Sequence, residues 1–264
     1  MTLQLPLGVQ PLAVQNVIGF PVTAMPFDRQ MDTIIDWAGD RLSRVVCVAN
    51  VHMLMEAHTN SAFAEVLYSA DIVTPDGMPL VWLMNLMRGG KQDRVAGMDI
   101  LLSLCQRLPQ RGISVYFVGS NQETLDSMRA RLEREFPDLT IAGMEPLPFR
   151  PLTAEENQAL ADRINQSRAG VVFVSLGCPK QEIWMHHNRH RVQAVMIGLG
   201  GAFPVYAGIH KWAPLWIRKS GFEWLYRLAQ EPRRLWKRYL STIPPFLFLA
   251  CKQVVSDRLL QRSF

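Results

Sequence analysis

The chain has 264 residues, 48% hydrophobic and 19% charged, enough for one sizeable core and a small appendage. Cys47, Cys105, Cys178 and Cys251 lie far apart with no Cys-x-x-Cys pair, which argues against a disulfide framework or a zinc site and for reduced thiols in the cytosol. Residues 1–210 carry a net charge of −3 and residues 211–264 a net +8, so an acidic body bears a basic, Trp- and Phe-rich tail suited to an anionic partner.

No Lys or Arg precedes the apolar residues of Met1–Phe20, so the N-terminus lacks the charged region of a secretory signal. From there, helical periodicity alternates with apolar, β-branched runs. The predicted order is helix Phe27–Arg41, strand Arg44–Ala49, helix His52–Ser69 and strand Asp71–Thr74. A flexible loop at Gly89-Gly90 precedes Asp93 and Arg94, followed by helix Gly97–Gln110 and strand Ser114–Gly119. Helix Gln122–Phe136 opens on a capping box, Ser120 to Glu123, and helix Thr153–Gln166 on a second, Thr153 to Glu156, with strand Thr140–Ala142 between them. Strand Gly170–Leu176, helix Lys180–His190 and strand Ala194–Gly198 complete the series. The pattern predicts an α/β fold, a Rossmann-like doubly wound, mostly parallel sheet. Its domain spans residues 1–210, and a basic amphipathic helical appendage spans 211–264.

In such a sheet, ligands bind at the carboxyl ends of the strands. Four ends draw attention: Pro75-Asp76-Gly77, Gly119-Ser120, Gly177-Cys-Pro179-Lys-Gln181-Glu182 and Gly198-Leu-Gly200. Gly119 and Gly177 stand where strand becomes helix, letting phosphates approach backbone amides, although a glycine there is equally the mark of a tight turn. A nicotinamide or flavin dinucleotide is disfavoured, because Phe203 occupies the third glycine position after Gly198 and Gly200; no Walker Gly-Lys-Ser/Thr sequence occurs either. Pro-Asp-Gly alone reads as a turn. Asn50 at the end of the preceding strand, and Arg94 on a glycine-hinged loop, raise Asp76 to a candidate general base beside groups able to hold an acceptor or a departing phosphate. His186 and His190 lack the Glu of His-Glu-x-x-His, and no Asp-x-Asp occurs, so no metal ligands are evident.

Taken in order, Asn50, Pro75-Asp76-Gly77, Arg94-Val-Ala-Gly-Met-Asp99, Gly177-Cys-Pro-Lys-Gln-Glu182 and the Glu223-Trp224/Arg227/Glu231-Pro232 tail resemble the WecG/TagA/CpsF glycosyltransferases, over about Val17 to Arg238. The resemblance implies an inverting, metal-independent transfer of a hexose or N-acetylhexosamine-type sugar from a UDP-sugar to an undecaprenyl-diphosphate-linked saccharide in surface-polymer assembly. No cofactor is implied. It places Asp76 at the catalytic base, Asn50 and Arg94 beside it, and Gln181 and Glu182 at the donor side. Relatives often carry Thr where this chain has Val48, which bears on sugar identity. Gly119, Ser120, Gly177, Pro179, Gly198 and Gly200 complete the predicted donor side; Arg218 and Arg227 are predicted to close over the site and hold a diphosphate.

The tail is expected to act on the membrane. Pro232 suits the first turn of a helix on which Arg233, Arg234, Lys237 and Arg238 fall within roughly 140°, opposite Leu235, Trp236, Tyr239 and Leu240. Such a helix fits the inner leaflet of the cytoplasmic membrane as a peripheral anchor, or packs on the body or on a second copy of the chain. The apolar stretch Ile243–Ala250 is far shorter than the roughly 20 residues of a spanning helix. Two other classes share these features: a soluble nucleotide-sugar epimerase-type enzyme, and a nucleic-acid-binding protein, which the acidic body disfavours.

Overall fold

The structure, a computed structural model, describes residues 12–148 and 150–261. Most of the N-terminal segment discussed above, residues 1–11, and Arg262 of the basic tail lie outside them. The described residues open on an antiparallel hairpin, β1 (Val14–Val17) and β2 (Phe20–Thr23), followed by α1 (Phe27–Gly39), β3 (Arg44–Ala49), α2 (Val51–Thr59), α3 (Ser61–Ser69) and β4 (Ile72–Pro75). Next come α4 (Met78–Arg88), α5 (Gly97–Arg107), β5 (Val115–Gly119), α6 (Gln122–Glu135) and β6 (Ile141–Glu145). Then follow α7 (Ala154–Gln166), β7 (Val171–Ser175), α8 (Lys180–Asn188), β8 (Val195–Gly198) and α9 (Ala202–Tyr206). The C-terminal helices are α10 (Leu215–Ser220), α11 (Glu223–Gln230) and α12 (Pro232–Gln261).

Six strands form one parallel sheet in the order β4-β3-β8-β7-β5-β6. Continuous apolar runs such as Val45–Ala49 and Val171–Val174 are buried on both faces, as a parallel sheet covered by helices requires. One face packs on α1, α5, α6 and α9 through Met31, Leu101, Leu125 and Phe203. The other packs on α2, α3, α4 and α8, where Phe246 of α12 joins the core. The predicted doubly wound architecture stands.

Local differences have physical causes. Helix His52–Ser69 is two helices, because Asn60 leaves helical geometry and caps the second, its Oδ1 accepting from the Phe63 amide at 3.2 Å. The Thr153 capping box forms as predicted. The one at Ser120 does not: Ser120 has φ 62°, and Asn121 caps α6 instead by accepting from the Thr124 amide at 2.9 Å. In α12, the predicted division of faces gives way. Leu235 is buried, Arg238 and Tyr239 are half-buried, and Tyr239 packs edge-on against Trp224, 5.7 Å between ring centroids. Trp236 and Leu240 remain exposed. The helix therefore packs on the body, mainly on α2, and shows a second apolar face outward.

Candidate active site

The carboxyl ends of β3, β4, β7 and β8 open into one cavity of ≈ 1390 Å³, roofed by the C-terminal helices. A pocket for one small ligand occupies roughly 300–1,000 Å³, so this one has room for two substrates. Among the predicted residues, Asn50, Asp76, Arg94, Ser120, Gly177, Gln181, Gly198, Gly200 and Arg227 line it, as does Val48.

Asp76 is placed by backbone. Its amide donates to the Ala49 carbonyl at 2.8 Å, and the Val95 amide donates to the Pro75 carbonyl at 2.9 Å, so the Arg94 segment is stitched to the end of β4. Pro-Asp-Gly is thus a strand-to-helix junction rather than a free turn. Asn50 stands alongside, a Cβ on Gly77 lying 3.7 Å from its own, and its Oδ1 caps α2 at the Met53 amide, 3.2 Å away. Burial lifts the Asp76 carboxyl to about 6, against the lowering pull of Arg94 and Arg227; Glu223 and Asp99 push it further up.

The arginines are held in a network the sequence did not show. Arg94 donates to Glu223 on α11 at 2.6 Å and lies 3.6 Å from Asp99; Arg227 pairs with the other Glu223 oxygen at 2.9 Å. Arg218 is one step removed, over the Trp212 ring at 3.9 Å and 3.5 Å from Asp99. It braces this network and is absent from the cavity wall. Burial works against ionised Glu223, but Arg227 and Arg94 more than offset it, and its carboxyl falls below the usual range. Asp99 and Glu223 were visible only as motif letters. The i,i+4 spacing of Glu223 and Arg227 was the available clue to their pairing.

On the opposite wall, three of the predicted residues do not line the cavity. Gly119 sits behind the wall: at φ 97°, a Cβ would lie 2.3 Å from the Ser175 carbonyl oxygen, so glycine is there for strand packing. Pro179 is also off the wall, at the N-cap of α8. Glu182 is fully buried and accepts from the Gln181 side-chain amide at 2.7 Å; burial raises its carboxyl to about 7 despite that hydrogen bond. It supports Gln181 from below. Gly198 and Gly200 are glycine for a related reason, since their Cβ positions fall 2.9 and 3.0 Å from the Gln181 amide. Gly177, at φ 77° with open space around it, keeps the approach to α8 clear.

The pattern of the family described as "Glycosyl transferase WecG/TagA/CpsF family" matches residues 15–259. This chain belongs to that family. It is a glycosyltransferase. Its similar proteins include an N-acetylglucosaminyldiphosphoundecaprenol N-acetyl-beta-D-mannosaminyltransferase of Bacillus spizizenii, 36% identical over 208 residues, 78% of each chain. A protein of the same name from Bacillus subtilis is 30% identical over 214 residues, 81% of each. Membership sets aside the epimerase and nucleic-acid readings.

A glycosyltransferase whose base is Asp76 should gain kcat/KM as pH rises through about 6 and level off above, because the carboxylate is the active form. In Glu223→Gln, an anion leaves the site, Asp76 ionises more readily, and the acid limb should move to lower pH. A pH–rate profile of both proteins checks this; an unmoved limb contradicts it.

Proposed function

We propose that this glycosyltransferase moves an N-acetylmannosamine-type sugar from UDP to an undecaprenyl-diphosphate-linked saccharide, with inversion, using Asp76 as the base. The observation that carries the reading is a carboxyl raised to about 6 in the same cavity as Arg94 and Arg227. Both Bacillus relatives are named for transfer of that sugar to a lipid-linked N-acetylglucosamine. An acceptor hydroxyl gives its proton to the Asp76 carboxylate as its oxygen forms the new bond to the anomeric carbon. The bond from that carbon to the diphosphate oxygen breaks, and UDP leaves with the electron pair. Arg227, exposed enough to turn from Glu223, and Lys180 at the start of α8 supply charge for the leaving diphosphate, so no metal is needed. Gly177 and Ser120, at the ends of β7 and β5, border the donor.

We also infer that residues 211–264 act as an appendage seating the enzyme on the inner face of the cytoplasmic membrane. Among the described residues, no helix is long and apolar enough to cross a membrane. The outward surface of α10–α12 instead exposes Trp216, Phe222, Trp236, Leu240 and Phe248 among basic residues Lys219, Arg233, Lys237 and Lys252.

A UDP-release assay with a panel of UDP-sugars, with and without a polyprenyl-diphosphate-linked N-acetylglucosamine, tests the reaction. Release should require the lipid-linked acceptor and survive chelation of divalent metal. Asp76→Asn should lower turnover roughly 10²–10⁴-fold while UDP binding stays near wild type. Near-native turnover in that variant would sink the assignment. In flotation assays, W236S/F248S should lose binding to anionic liposomes while keeping its thermal midpoint; undiminished binding contradicts the membrane seat.

A further inference from the structure

One face of α12 forms a wall of the active-site cavity, and its chemistry changes along the helix. Arg234 and Arg238 stand at its start; Ile243, Phe246, Leu247 and Ala250 follow at three- and four-residue spacing. Leu147 and Leu152, from the segment after β6, and Ile183 and Trp184 of α8 line the same cavity and pack with that apolar core. Arg234 is ion-paired with Glu231. Arg238 makes no close ion pair among the described residues, its charge reaching Glu182 only at longer range, and its buried Nε makes no hydrogen bond. His52 beside it is held neutral, its pKa lowered to about 4 by burial and by Arg238, so it does not share the charge. At the other end, Leu247 is 54% and Phe248 69% exposed, so the apolar wall meets the outer surface.

Along α12 the wall therefore passes from cation to hydrocarbon, in the same cavity that holds the Asp76 carboxylate. A nucleotide-sugar ends in a polar base and mismatches the last part. A saccharide joined through diphosphate to an isoprenoid has the same order as the wall. We propose that the stretch of α12 from Ile243 to Leu247 borders a channel for the first isoprene units of the acceptor, with Arg238 on the diphosphate at its mouth. The inference rests on the acceptor class given under Proposed function. Nine helical steps separate Arg238 from Leu247, about 13.5 Å at 1.5 Å per residue, room for a few isoprene units before the chain leaves the protein. Apolar burial of such units would add affinity without touching the reacting atoms.

The test uses the full chain without bilayer or detergent, and two soluble acceptors: N-acetylglucosamine diphosphate esterified with farnesyl or with methyl. The wild type should show a KM for the farnesyl acceptor at least about tenfold below that for the methyl one, the minimum expected from burying several CH₂ groups. Ile243→Trp, which fills the channel, and Leu247→Asp, at an exposed position that folding tolerates, should remove that advantage. In both, the KM for the methyl acceptor and for the UDP-sugar should change by less than the farnesyl advantage that is lost. A farnesyl advantage that persists in Leu247→Asp, or is missing from the wild type, overturns the channel. A wild type that transfers to neither acceptor overturns the acceptor class itself, and the channel with it.

Discussion

The site depends on one ion pair, Arg94 to Glu223 at 2.6 Å, which joins the loop after α4 to a helix 129 residues further along the chain. Each side chain is only 15% exposed, so neither charge is left to water. Losing one partner of a buried pair costs roughly 3–5 kcal/mol, because the other charge is stranded. The pair also recruits Asp99, Arg218 and Arg227, so that α10 and α11 are held over the ends of β3 and β4 by charge. A second contact acts in the same place: Gly221, at φ 81°, leaves the space above α4 that the Trp82 ring occupies, where any Cβ would come within 2.5 Å.

That closure sets the ionisation of Asp76, the proposed base. An exposed aspartate at the end of a strand would ionise near its ordinary value and be a weak base. Roofed by α11, it is desolvated, and the opposing pulls of Arg94 and Arg227 against Glu223 and Asp99 leave it near 6. A base in that range is ionised at neutral pH and strong enough to take a proton from a hydroxyl as the new bond forms. Glu223 therefore acts twice. It orients two cations and keeps them from depressing the Asp76 carboxyl.

What the sequence made legible is what depends on local chemistry. The strands of the parallel sheet announced themselves as apolar, β-branched runs, and β3 spans the predicted residues Arg44–Ala49. Pro75-Asp76-Gly77 and Asn50 came together because consecutive strands β3 and β4 are neighbours in the sheet. The β1–β2 hairpin was missed because its two four-residue strands are joined by only Ile18 and Gly19, too short for a pattern. Helix α4 was missed because Met78–Met87 is apolar nearly all round, with no polar face to set a period. Gly119 looked like a phosphate turn and Gly200 like a donor-side residue, yet the first answers to a carbonyl on β7 and the second to the Gln181 amide. A glycine's sequence context does not say which neighbour comes close. On α12 the predicted division of faces did not hold, because periodicity could not tell which residues would meet the body: Arg238 turned inward beside Leu235 and Tyr239, while Trp236 and Leu240 stayed outward.

The most direct measurement is amide hydrogen exchange of residues 223–230 in the wild type and in Arg94→Ala. If that ion pair holds the roof, exchange in α11 should rise by more than about tenfold, given the cost of stranding a buried charge, while β5 and β7 keep their protection. Unchanged exchange in α11 would mean that the roof stands without the pair, and that the environment of Asp76 has another origin.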